Sequence, residues 1–179
     1  MKQMLAKFLA RFLRRETGSV TLEFVIMFPA FITVMLSSVE VGMLTMRHTM
    51  LERGLDLAVR EIRLGTGYMP QSHGQLKTMI CDYAGFLPDC SNTLKLEMKP
   101  IDLRSFSNIE EGADCVDVAQ PLLPVRTFVA GNVNELMILR ACYRFKPLYP
   151  LSGLGYALVE DGSGYSKMLA TSAFVQEPR

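Results

Sequence analysis

From Val20 to Val39 the chain is almost uninterrupted apolar sequence, and Glu23 is the only charged side chain in it. As a helix, residues 19 to 39 would extend roughly 31 Å at about 1.5 Å per residue, enough to cross a hydrocarbon core. Helical periodicity then continues. Leu44, Leu51, Leu55, Ala58 and Ile62 fall on one stripe, while Arg53, Asp56, Arg60 and Arg63 lie largely off it. His48 sits within the stripe and is expected to pack or be solvated there. The pattern predicts one helix from about Ser19 to Leu64, ~69 Å long, with Gly65, Gly67 and Pro70 as the stop.

Beyond residue 66 the signals mix α and β. Gln75 to Ala84 reads as a short helix. Thr93 to Lys99 alternates, with Leu94, Leu96 and Met98 on one face, and Pro100 ends the strand. From Glu135 to Phe145, the residues Met137, Leu139, Ala141, Tyr143 and Phe145 share a face opposite Arg140, Cys142 and Arg144. A Pro/Gly-rich loop is expected from Lys146 to Gly164, then a last strand from Tyr165 to Gln176. The expected fold class is therefore α+β: a long N-terminal transmembrane helix, then a small disulfide-bonded domain with an antiparallel sheet packed on the helices.

A formal net charge of +1 argues against nucleic acid as the main partner. The charge is nonetheless uneven, because residues 1–18 hold Lys2, Lys7, Arg11, Arg14 and Arg15 against Glu16 alone. Leu5, Phe8, Leu9, Phe12 and Leu13 recur at helical spacing opposite these cations, the pattern of a basic helix on an anionic inner leaflet. More Lys and Arg precede the span than follow it, where Arg47 and Arg53 stand, so the N-terminus is expected in the cytoplasm and everything after Glu40 outside it. An ordinary secretory signal fits less well: the apolar run is too long, contains Pro29 and lacks an A-x-A-like exit.

The four cysteines fall on the outer side, where disulfides persist, and they lack the C-x-x-C spacing of a zinc site. Of the three pairings open to them, Cys81–Cys90 with Cys115–Cys142 is the most local. In a chain-entropy picture those loops would stabilise by about 2.5 and 3.5 kcal/mol. Catalytic signals are thin. His48 and His73 are far apart, G-L-G at 153–155 lacks a third glycine, and no histidine–carboxylate cluster suggests metal. Neither an enzyme nor a cofactor is expected, and His73 reads as a residue of a polar loop.

A carboxylate in a membrane helix costs on the order of 2.5 to 3.5 kcal/mol at mid-bilayer and less near an end, so Glu23 calls for a positive partner. A cut between Gly18 and Ser19 would supply one, an α-amine four residues before Glu23. In a packed assembly one subunit's amine could then meet its neighbour's carboxylate. Gly18 would let the backbone extend into a peptidase. Pro29 leaves the carbonyl of Val25 without its N–H, giving a place to kink or stretch, or an ordinary membrane-helix proline. Glu40 stands at the outer boundary, either as a solvated carboxylate or as a subunit contact, with Gly42 permitting close helix approach.

Basic leader, Gly18, Ser19, Glu23 and the apolar helix together resemble the class III signal of type IV pilins and pseudopilins, which prepilin peptidase cuts. R-R-E-T-G-S-V-T-L-E-F, Pro29 and the E-V-G of Glu40 to Gly42 resemble more narrowly the TadE-like proteins of tight-adherence (Flp) pilus systems. Y-R-F-K-P-L from Tyr143 to Leu148 and S-A-F-V-Q-E-P from Ser172 to Pro178 are similar to that family's ending. The resemblance implies a minor pilin required for assembling an adhesive, biofilm-forming pilus, with an expected place at the initiating tip. It divides the chain into a cleaved leader (1–18), a transmembrane and stalk helix (19–65) and a periplasmic domain (66–179). Glu23, Pro29, Glu40 and Gly42 would act in subunit assembly. Implied partners are other minor pilins, the major Flp pilin, prepilin peptidase, the inner-membrane assembly platform and lipid. The alternatives are a TadF-like subunit, a type II secretion pseudopilin, or a signal-anchored periplasmic binding module or enzyme outside any filament.

Overall fold

The structure is a computed structural model that describes residues 19–64, 72–102, 132, 134–159 and 163–177. Helix α1 runs Ser19–Leu64, the bounds that the periodicity predicts. Over its first half the apolar side chains, among them Val20, Leu22, Phe24, Ile26, Phe31 and Val34, are left uncovered by protein. This helix is long and apolar enough to cross a membrane. Pro29 lies inside it, and the Thr33 hydroxyl donates to the Pro29 carbonyl at 2.8 Å.

Two compact units divide between Val39 and Glu40. Beyond that point the apolar stripe of α1 belongs to the core of the second unit. Within that unit Leu51, Leu55, Ala58 and Ile62 are buried with Leu76, Ile80 and Ala84 of helix α2 (His73–Ala84). Ser72 caps α2 by accepting the Gln75 N–H, and Gly85 ends it at φ 65°, a left-handed turn that glycine takes without strain. A short helical turn α3 (Cys90–Thr93) leads into strand β1 (Leu94–Pro100). The Cys81–Cys90 disulfide ties α2 to α3, with Cα atoms 5.8 Å apart. Cys142 is also disulfide-bonded, and its expected partner, Cys115, lies outside the described residues.

Strands β2 (Leu136–Phe145) and β3 (Ser166–Val175) complete a three-stranded sheet of order β1-β2-β3, antiparallel throughout. The register pairs Leu94 with Tyr143, Met98 with Leu139 and Met137 with Phe174. One sheet face therefore carries most of the core side chains of the three strands. β3 keeps a solvated opposite face, whereas on β2 Arg140, Cys142 and Arg144 are buried as well. The expected loop after β2 contains a one-and-a-half-turn helix α4 (Gly153–Leu158), which Ser152 caps by accepting the Gly155 N–H at 3.0 Å.

Candidate functional site

Strand pairing ends at Phe145, which faces Ser166. Just beyond it the backbone groups of Lys146, Leu148 and Tyr149 no longer have a neighbouring strand, and buried N–H and C=O groups need partners. Two charged side chains of α1 provide them. Glu40 is 1% exposed, and its carboxylate accepts the Leu148 N–H at 3.0 Å and the Tyr149 N–H at 2.9 Å. Two turns on, Arg47 donates through Nη1 to the Lys146 carbonyl at 3.2 Å. Its guanidinium lies 5.3 Å from the centroid of the Phe145 ring, a cation–π contact. The strand exit is clasped at two points. Charge-assisted hydrogen bonds of this kind are stronger than neutral ones.

Around the clasp, Arg144 and Lys146 lie over the Tyr165 ring at 5.1 and 4.9 Å, and Arg144 also donates to Ser163 at 2.8 Å. The Tyr143 hydroxyl donates to the Pro88 carbonyl at 2.7 Å, joining β2 to the chain before α3. Burial pushes the Tyr143 phenol above its usual pKa; the Arg47 charge opposes that shift and the Asp89 charge adds to it. These side chains border a recess of about 320 Å³.

Glu40 is thus a buried carboxylate and not a solvated one, each of its oxygens accepting a backbone N–H within its own unit. Gly42 is exposed, with nothing within 4 Å of where a Cβ would stand. Glu23 is exposed on the uncovered part of α1. Ser19 begins α1, and Gly18 lies outside the described residues. His73 opens α2 instead of lying in a loop, with Nε2 3.1 Å from the Leu96 carbonyl. His48 approaches Glu52 at 3.5 Å. Among the described residues no cluster of His, Cys, Asp or Glu is placed to hold a metal ion.

Arg47 is the residue that sequence reasoning missed. Its signal is present: Glu40, Leu44, Arg47 and Leu51 continue the helical stripe at spacings of four, three and four. A charge on an apolar stripe predicts a buried charge with a dedicated partner.

The family model described as TadE-like protein matches residues 18–60. Over this segment the chain is similar to that family. No curated protein and no solved structure matches the chain. The TadE-like segment begins at Gly18 and takes in Glu23, Pro29, Glu40, Gly42 and Arg47. The partners of Glu40 and Arg47, at 145–149, lie beyond it. The clasp is therefore where the TadE-like segment grips the sheet that follows.

Proposed function

We propose that the protein is a minor pilin of a tight-adherence (Flp-type) pilus, cut by prepilin peptidase between Gly18 and Ser19 and held in the inner membrane by residues 19–39. The N-terminus is cytoplasmic and the second unit periplasmic. One observation carries this: the TadE-like match begins at Gly18 and runs into a helix whose apolar residues up to Val39 are largely uncovered by protein. That match supports a pilin-like protein associated with a Tad pilus, a component of an assembly and not a catalyst.

The function follows from the chemistry of α1. Its apolar surface suits lipid before assembly and neighbouring pilin helices afterwards, since in either place those side chains avoid water. Near the cytoplasmic end of the span Glu23 is tolerable to an isolated subunit. In the filament the amine of Ser19 enters apolar surroundings, where an unpaired charge is costly, and pairing with a neighbour's Glu23 fixes axial register. Partners are other minor pilins, the major pilin and the assembly platform, and the minor pilin acts at the initiating tip.

The test uses Glu23→Gln and Glu23→Leu in cells lacking the normal gene. Synthesis, insertion and leader cleavage should persist while surface piliation falls. Full piliation with Glu23→Leu would remove the carboxylate from assembly.

A further inference from the structure

We infer that the loop from Leu148 to Tyr156 is a second membrane contact, seated in the headgroup region of the bilayer that residues 20–39 span. Leu151 is 99% exposed and Tyr156 78%, and Leu148 and Tyr149 are more than a third exposed. From Pro147 to Val159 the sequence contains no charged residue. Such a surface is poorly matched to water.

The depth of this loop is set by Glu40, whose carboxylate takes the backbone N–H groups of both Leu148 and Tyr149. Glu40 directly follows the apolar run that ends at Val39. Once that run spans the hydrocarbon, Glu40 stands at its outer edge, and Leu148 and Tyr149 with it. Leu151 is three residues further along, at most roughly 10 Å away at about 3.3–3.6 Å per residue. A headgroup layer is about 5–7 Å thick on each side, so the loop cannot leave the boundary region by much. Tyrosine rings with an apolar body and a polar tip favour that layer, and Lys146, just before the loop, can reach lipid phosphate. Glu40 thus ties the start of this loop to the residue at which the apolar run ends.

The proposal rests on residues 20–39 crossing the bilayer, and the chain's lack of tryptophan permits a test that separates the two. Three single-tryptophan variants of the whole protein are placed in phosphatidylcholine vesicles with bromines near the top of the acyl chains. Phe28→Trp probes the span and Leu151→Trp the loop. Val175→Trp lies near Glu177, which pairs with Arg63 at 3.1 Å. Arg63 is roughly 35 Å along α1 from Glu40 at about 1.5 Å per residue. Quenching of Leu151→Trp should approach that of Phe28→Trp and exceed that of Val175→Trp at least threefold. If Phe28→Trp is quenched while Leu151→Trp matches Val175→Trp, the loop is not in lipid and the span stands. Blue-shifted but unquenched emission from Leu151→Trp would assign the loop to a protein partner or a second copy and overturn the proposal. Absence of quenching at Phe28→Trp would remove the span and the loop contact together.

Discussion

Glu40 and Arg47 turn an otherwise apolar helical stripe into a clasp for the backbone leaving β2. Their contribution lies in satisfying backbone groups that have left the sheet, so removing one acceptor should expose its donor. In Glu40→Gln one oxygen still accepts, but the amide NH2 faces the second N–H. The net loss is expected to be about 1–3 kcal/mol. Hydrogen exchange of the Leu148 and Tyr149 amides in the detergent-solubilised protein should accelerate about tenfold or more, with α2 protected as before. Unchanged exchange would mean the carboxylate is not their partner. Tyr143 makes a second prediction. Its phenol is raised above the ordinary value of about 10 by burial, so the folded state holds the proton more tightly than the unfolded chain. The associated stability is fully present below about pH 10 and is lost as pH rises through the folded pKa. Between pH 9 and 11.5 the wild type should lose more stability than Tyr143→Phe in parallel denaturant titrations. The buried charges were legible in the helical stripe, and their partners were not. Glu40 and Arg47 meet backbone groups 108 and 99 positions away, and a backbone partner leaves no mark on the residue that provides it.

The elements were more readable, because their signals are local. The bounds of α1 follow from a shared helical period and its Gly and Pro stop, and β2 follows from the alternation of Leu139, Ala141, Tyr143 and Phe145 with Arg140, Cys142 and Arg144. Helix α4 escaped notice because Gly153 and Gly155 read as loop residues, although Ser152 caps the turn. The approach of α1 to α2 was hidden too. A Cβ on Gly54 would stand 2.7 Å from the Ile80 carbonyl and 3.0 Å from the Ala84 Cβ, in the way of backbone that cannot swing aside. Gly54→Ala should therefore push the helices apart and destabilise the second unit by about 1–3 kcal/mol, read as a lower urea midpoint by tyrosine fluorescence. An unchanged midpoint would show that the contact yields. Peptide mapping without reductant should recover Cys81 joined to Cys90, and opening that loop should cost about 2.5 kcal/mol in the same titration.

At the scale of the whole molecule, the chain joins a helix segment long and apolar enough to cross a membrane to a unit with its own core, and the TadE-like match spans the division between them. The apolar run announced the first part in sequence. A stripe that continues an apolar run looks the same in sequence whether it forms a free stalk or one wall of a core, and here it forms a wall. Pilin-like processing is the claim on which the functional reading turns, and the mature N-terminus tests it most directly. Mass spectrometry of the protein from membranes of cells with active prepilin peptidase should find a chain beginning at Ser19, and Gly18 replaced by a bulky residue should leave the full-length form. A wild-type chain that retains residues 1–18 under those conditions would contradict the assignment.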